Sequence, residues 1–170
     1  MLGMLTFWRN PGRKIVANLH RYRTWKNRRE PIARLIVAWT KFEHIFWSVV
    51  TTSHIRRDAE IHPSVHIVHP FCVGIHRDSI IGENCIIMQQ VTIGQAGEGG
   101  VPVLGKNVFV GAGARILGPV TIGDNARIGA NAVVLKDVPA DATAVGVPAR
   151  IILRKVAPRK PAAASSARAK

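Results

Sequence analysis

Aromatic side chains are scarce in this chain: five Phe, four Trp and one Tyr in 170 residues. A core so poor in rings must be filled by Ile, Val and Ala, which points to a repetitive architecture. Cysteine is nearly absent. Cys72 and Cys85 alone make no disulfide framework, so a reduced, cytoplasmic location is expected. No apolar run reaches 18 residues, which argues against a spanning helix. No secretory signal is read at the start, because the charges of MLGMLTFWRNPGRK follow its short apolar stretch.

Acidic residues are few, and their distribution matters more than their number. Residues 1–58 hold 12 Lys/Arg against 3 Asp/Glu, residues 59–149 hold 5 against 7, and residues 150–170 hold 7 against none. The net charge of +14 therefore sits at the two ends. Such ends are either solvated or disordered segments or contacts for an anionic membrane surface or a polyanion. The near-neutral centre lacks the basic, aromatic-interleaved stripe of a nucleic-acid interface, and no nucleic-acid partner is expected.

Three segments follow. Residues 1–54 form a basic N-terminal segment. Its first 30 residues read as irregular, with a turn at Pro11-Gly12. A helix is expected over about residues 32–50, because Ile32, Leu35, Ile36, Trp39, Phe42, Phe46 and Val49 recur at helical spacing. That face should dock on the rest of the chain or on a neighbouring subunit, or lie on a membrane beside Arg34 and Lys41. Residues 55–153 carry the repeat described next. Residues 154–170 are Pro/Ala/Ser-rich and charged, and read as disordered.

From Ile55 the period becomes six. Ile55, Ile61, Ile67, Ile75, Ile81, Ile87, Ile93, Leu104, Val110, Ile116, Ile122, Ile128 and Val134 are all aliphatic. Four positions beyond each stands a second inward residue: Ala59, Val65, Phe71, Ser79, Cys85, Val91, Val108, Ala114, Val120, Ala126, Ala132 or Val138 (Ile93 runs into a loop). A fixed short period means a solenoid. The reading is a left-handed parallel β-helix of hexapeptide repeats, an all-β solenoid with a short N-terminal α-helical segment. Gly82, Gly94, Gly105, Gly111, Gly123 and Gly129 follow the aliphatic residue, where a corner is expected to need a permissive backbone.

Two breaks interrupt the register. Ile67 and Ile75 are eight residues apart, and Ile93 and Leu104 are eleven apart. The second break extrudes the Gly-rich loop 94–103. If the loop uses up no side of the coil, His69, Gln89, Ala112 and Ala130 share one column. With strands about 4.8 Å apart, that column runs roughly 15 Å. A long thin ligand would fit it, its reactive tip at His69 and its stem over the small side chains. The pantetheine arm of coenzyme A has that shape.

The stretch from IHPSVHIVHP to VGVPARII resembles the hexapeptide-repeat acyltransferases, specifically the serine acetyltransferase branch, over about 95 of the 170 residues. HPFCVGIHRDSIIGENCIIMQQVTIG is similar to that family's active-site half. The resemblance implies acetyl-CoA as co-substrate, a homotrimer or dimer of trimers with sites between subunits, and a catalytic histidine at His69. It further places His54 where the family has the carboxylate that orients this base. Three further positions depart from the pattern. Val68 replaces an Asp, and Gly100 and Val101 replace an Arg-His pair that holds the amino-acid acceptor. The acceptor thus stays open between L-serine, as in cysteine biosynthesis, and a saccharide hydroxyl, as in polysaccharide synthesis at the inner membrane face.

O-acylation needs a base for the hydroxyl proton, and neutral imidazole suits neutral pH. His69 is the expected base, with Asp58 and Glu60 as candidates to orient it. Gly94, Gln95 and Gly97 could offer backbone N–H groups to the oxyanion. Gln89, Ala112, Ala130, Lys136 and Arg150 are the expected coenzyme A contacts, the last two at its phosphates. A three-histidine zinc site is the metal alternative. His62, His66, His69 and His76 do not stack in one column, and no metal is expected. Cys85 reads as core. A non-catalytic β-helix scaffold is the remaining class.

Overall fold

The computed structural model describes residues 10–97 and 99–153. The tail expected at 154–170 and residues 1–9 lie outside the described residues. Among the described residues two helices, α1 (Pro11–Trp25) and α2 (Pro31–Thr51), precede fifteen short strands. Most strands are two residues long, one residue facing out and one in.

The strands stack in three parallel sheets around one core. Sheet A holds β1 (His54–Ile55), β4 (Gly74–Ile75), β7 (Thr92–Gly94), β10 (Arg115–Leu117) and β13 (Val133–Val134). Sheet B holds β2 (Glu60–Ile61), β5 (Ile80–Ile81), β8 (Val103–Leu104) and β11 (Thr121–Ile122). Sheet C holds β3 (His66–Ile67), β6 (Ile86–Ile87), β9 (Phe109–Val110), β12 (Arg127–Ile128), β14 (Ala142–Val145) and β15 (Arg150–Leu153). Only β15 runs antiparallel, folding back on β14 to close the end of the stack. The chain visits A, B and C in turn, so the six-residue period is one side of a coil. Leu104 pairs with Ile81, so the extruded loop uses up no side.

The interior of the coils is a stack of Ile, Val, Leu and Ala, and the one aromatic residue of the described strands, Phe109, is not among the buried ones. Cys85 is fully buried, as expected of a core position, and burial pushes its thiol pKa up. Phe71 departs from the repeat. It is 50% exposed, and Val73 fills the interior position instead. The eight-residue spacing places its two extra residues before Val73, which shifts the inward slot by two.

All the corner glycines but Gly94, which has open space around it, answer to space and not to backbone dihedrals. A Cβ at Gly111 would meet the Ala130 backbone at 2.6 Å, and one at Gly123 would meet Ala140 N at 2.4 Å. Neighbouring coils stack too closely there for a side chain. Asparagine holds several left-handed corner positions instead: Asn84, Asn107, Asn125 and Asn131, with φ between 55° and 60°.

The reading of residues 1–30 as irregular is corrected by α1. Pro11 occupies the first helical turn, where its missing N–H is harmless. Ile15, Val16 and Leu19 then bury one face of the helix in the solenoid core. Helix α2 runs Pro31–Thr51, against an expected span of about 32–50. It docks through Ala33, Thr40, Trp47 and Thr51. The Asn18 side-chain amide of α1 donates to Thr40 O at 3.2 Å and to Glu43 Oε2 at 2.8 Å, tying the helices together. Of the residues expected on its docking face, the rest of the chain takes up only Phe46, while Ile32, Leu35, Trp39, Phe42 and Val49 are exposed.

Candidate functional site

His69 follows β3 at the corner where sheet C passes to sheet A. Its backbone is left-handed, with φ of 52°. A β-carbon in that region is strained, and nine other non-glycine residues among those described, several at coil corners, share the conformation. The Phe71 N–H donates to His69 O at 2.6 Å and fixes the corner. The imidazole is exposed and has no side-chain hydrogen bond or ion pair among the described residues. The stack aligns Ile67 with Ile87, Ile87 with Val110, and Val110 with Ile128. His69, Gln89, Ala112 and Ala130, each two residues further on, therefore occupy one column. Gln89 is half-buried, and its Oε1 is buried without a hydrogen-bond partner among the described residues.

A cavity of about 490 Å³ opens beside His69, between its strand and the start of α1. Asn10, Arg13, His66, Val68 and Phe71 are among its walls. Gly12 holds the helix there: a Cβ on it would clash with the Ile67 carbonyl. Asn10, Arg13 and Phe71 were not singled out from the sequence. The signal for α1 was present in the spacing of Ile15, Val16 and Leu19, but the Pro-Gly pair read as a turn.

Several expected site residues do not converge on His69 within one chain. Asp58 pairs with Lys26 at 3.4 Å and Glu60 with Arg23 at 3.9 Å, both on the α1 side. They are occupied in docking the helical segment. His54 begins β1 in sheet A and is exposed. Gly94 ends β7, where Gly118 N donates to its carbonyl at 3.0 Å. Gln95 and the left-handed Gly97 lie beyond it, exposed. This loop leaves the far end of sheet A, whereas His69 sits before its near end. Lys136, two residues after Val134, shares the loop's corner. Arg150 starts β15 opposite Val145, on the sheet that carries the His69 column. Of the two basic candidates, only Arg150 lies on the side of that column.

Comparison with known proteins agrees with this architecture. A family model described as bacterial transferase hexapeptide (six repeats) matches residues 102–136. A serine acetyltransferase of Synechococcus elongatus is 46% identical over 114 residues, covering 60% of this chain and 47% of that protein. The solved serine acetyltransferase of Neisseria gonorrhoeae in complex with serine superposes with a TM-score of 0.70 at 30% identity, covering 88% of this chain and 60% of that one. A serine acetyltransferase in complex with CoA gives a TM-score of 0.60 at 37% identity, covering 70% and 49%. The chain spans about half the length of the first of these relatives. In sequence and in fold it resembles the serine acetyltransferase branch of the hexapeptide-repeat acyltransferases.

Proposed function

We propose that this chain is an acetyl-CoA-dependent O-acetyltransferase with His69 as its general base. The observation that carries this reading is the placement of an unpaired imidazole at the head of the column Gln89, Ala112, Ala130, beside a cavity. Acetyl-CoA supplies the acetyl group. His69 takes the acceptor's hydroxyl proton as its oxygen attacks the thioester carbonyl, then returns the proton to the departing thiolate. Ala112 and Ala130 leave room for a pantetheine arm, and Arg150 offers a charge to the phosphates. The relatives suggest L-serine as the first acceptor to assay. With Gly94, Gln95 and Gly97 at the other end of sheet A, their N–H groups reach an oxyanion only from a neighbouring copy. That supports a homotrimer, with Lys136 arriving from the same neighbour. Replacing His69 with Ala should lower turnover by at least ~10²-fold in a coupled acetyl-CoA assay while CoA still binds. Unchanged turnover would leave the scaffold reading.

A second feature supports a peripheral contact with an anionic membrane. Among the described residues no helix is long and apolar enough to cross one. Ile32, Leu35, Trp39, Phe42, Ile45 and Val49 of α2 are nevertheless 60–71% exposed on one face. Arg34 and Lys41 border that face, and residues 1–58 carry +9 of the net charge of +14. Apolar side chains edged by cations suit anionic headgroups. The chain should sediment with phosphatidylglycerol vesicles and not with phosphatidylcholine ones, and Trp39→Asp with Phe42→Asp should abolish this. A second copy on the face would instead give concentration-dependent dimers that ignore vesicles.

A further inference from the structure

The His69 cavity is one end of a groove that runs along α1. Arg13 and His66 line both this cavity and a second one of about 480 Å³. His20 and Pro63 in turn line both the second and a third of about 500 Å³. Arg13, Ala17, His20 and Thr24 are three or four residues apart, so a single helix face forms the wall. The eleven steps from Arg13 to Thr24 span roughly 16 Å at 1.5 Å each. A lone amino acid occupies only a fraction of that length.

The charge of the groove is one-sided where it matters. No Asp or Glu lines either of the two cavities nearest His69. Arg13 is exposed and makes no ion pair through its guanidinium among the described residues. Glu60 and Glu83 appear only in the third cavity, where Arg23 and Lys106 hold them at 3.9 and 3.4 Å. Within one chain, an ammonium group placed beside His69 would find Arg13 and imidazoles, with no carboxylate among the residues lining the two cavities. An anion would find Arg13. Ser64 and Asn84 offer hydroxyl and amide groups further along, and the exposed ring of Phe71 offers an apolar platform beside His69.

Resting on the acetyltransferase reading, we infer that the acceptor is an extended saccharide bearing a phosphate or carboxylate. The anion sits on Arg13, one hydroxyl faces His69, and the remaining sugars follow α1. The test offers acetyl-CoA and the full chain four acceptors: L-serine, glucose 1-phosphate, a uronic-acid trisaccharide and neutral maltotriose. The charged sugars should be acetylated with kcat/KM at least ~10-fold above those of serine and maltotriose. Arg13→Gln should raise KM for the charged sugars about 10-fold or more, the loss expected of one charge-assisted hydrogen bond. Ala17→Trp should hurt the trisaccharide more than glucose 1-phosphate. The two charged probes also separate a phosphate preference from a carboxylate one. Serine used as well as the charged sugars, or an Arg13→Gln variant with unchanged KM, would overturn the inference. Failure of the acetyltransferase reading looks different: calorimetry then shows no CoA binding, and no acceptor, serine included, is acetylated.

Discussion

At the residue scale, the strain at His69 sets up a discriminating substitution. A left-handed backbone disfavours most side chains by about 1–2 kcal/mol, whereas Asn tolerates it. His69→Asn should therefore keep or slightly raise the urea midpoint while losing turnover as His69→Ala does. A fall in stability with activity intact would assign the histidine to the corner, not to catalysis. Gly12 makes the converse case. A methyl group there meets the Ile67 carbonyl, so Gly12→Ala should lever α1 off β3 and weaken the fold by roughly 1–3 kcal/mol. Acceptor KM should rise with it, since the same contact shapes the His69 cavity. Ser79 is a third instance. It stands at an interior position, 0% exposed, and its Oγ has no partner among the described residues. Ser79→Ala removes a desolvated hydroxyl and should stabilise the coil by about 1 kcal/mol in a urea melt.

At the scale of elements, helix α2 links packing to pH. His44 is half-buried against α1 and β1, and its pKa is lowered from 6.5, first by burial, then by Arg57, with Arg56 adding to it. The folded state therefore prefers neutral imidazole. As pH falls through about 6.5 the unfolded chain takes up the proton first, so stability is level above that pH and declines below it. Denaturant midpoints between pH 7 and 5 should fall for the native chain and flatten for His44→Gln. The helices also mark where the sequence stops being legible. The hexads could be read because every side of every coil repeats one constraint, an aliphatic residue pointing inward. Helix α1 offered only Ile15, Val16 and Leu19 against many charges, and its Pro-Gly pair has two meanings that only packing separates. The exposed face of α2 was legible as apolar. Its direction depended on Asn18, Thr40 and Glu43, whose contacts cross between helices and leave no periodic trace. Phe71 turned outward for a similar reason: the spacing revealed two extra residues without revealing which would bulge.

At the scale of the whole molecule, the parallel stack separates the parts of the proposed site. His69 precedes sheet A and the loop after Gly94 leaves its other end, so one chain carries both halves on opposite edges. A ring of three copies joined head to tail brings each edge to a neighbour's opposite edge, a heterologous contact that closes. The column His69–Gln89–Ala112–Ala130 was legible from the repeat alone because register is local. The pairing of that column with a loop was not, since it depends on a rotation between copies that no hexad encodes. The arrangement predicts complementation. A His69→Ala chain and a chain lacking loop residues 96–100 should each be inactive alone. Mixed equally by co-expression, a site works only where an intact His69 meets an intact loop from the other chain. Random assembly into closed rings gives ~1/4 of sites that property. Acetyl transfer in the mixture should recover to about that fraction of the native rate, and a mixture that stays inactive would place the whole site within a single chain.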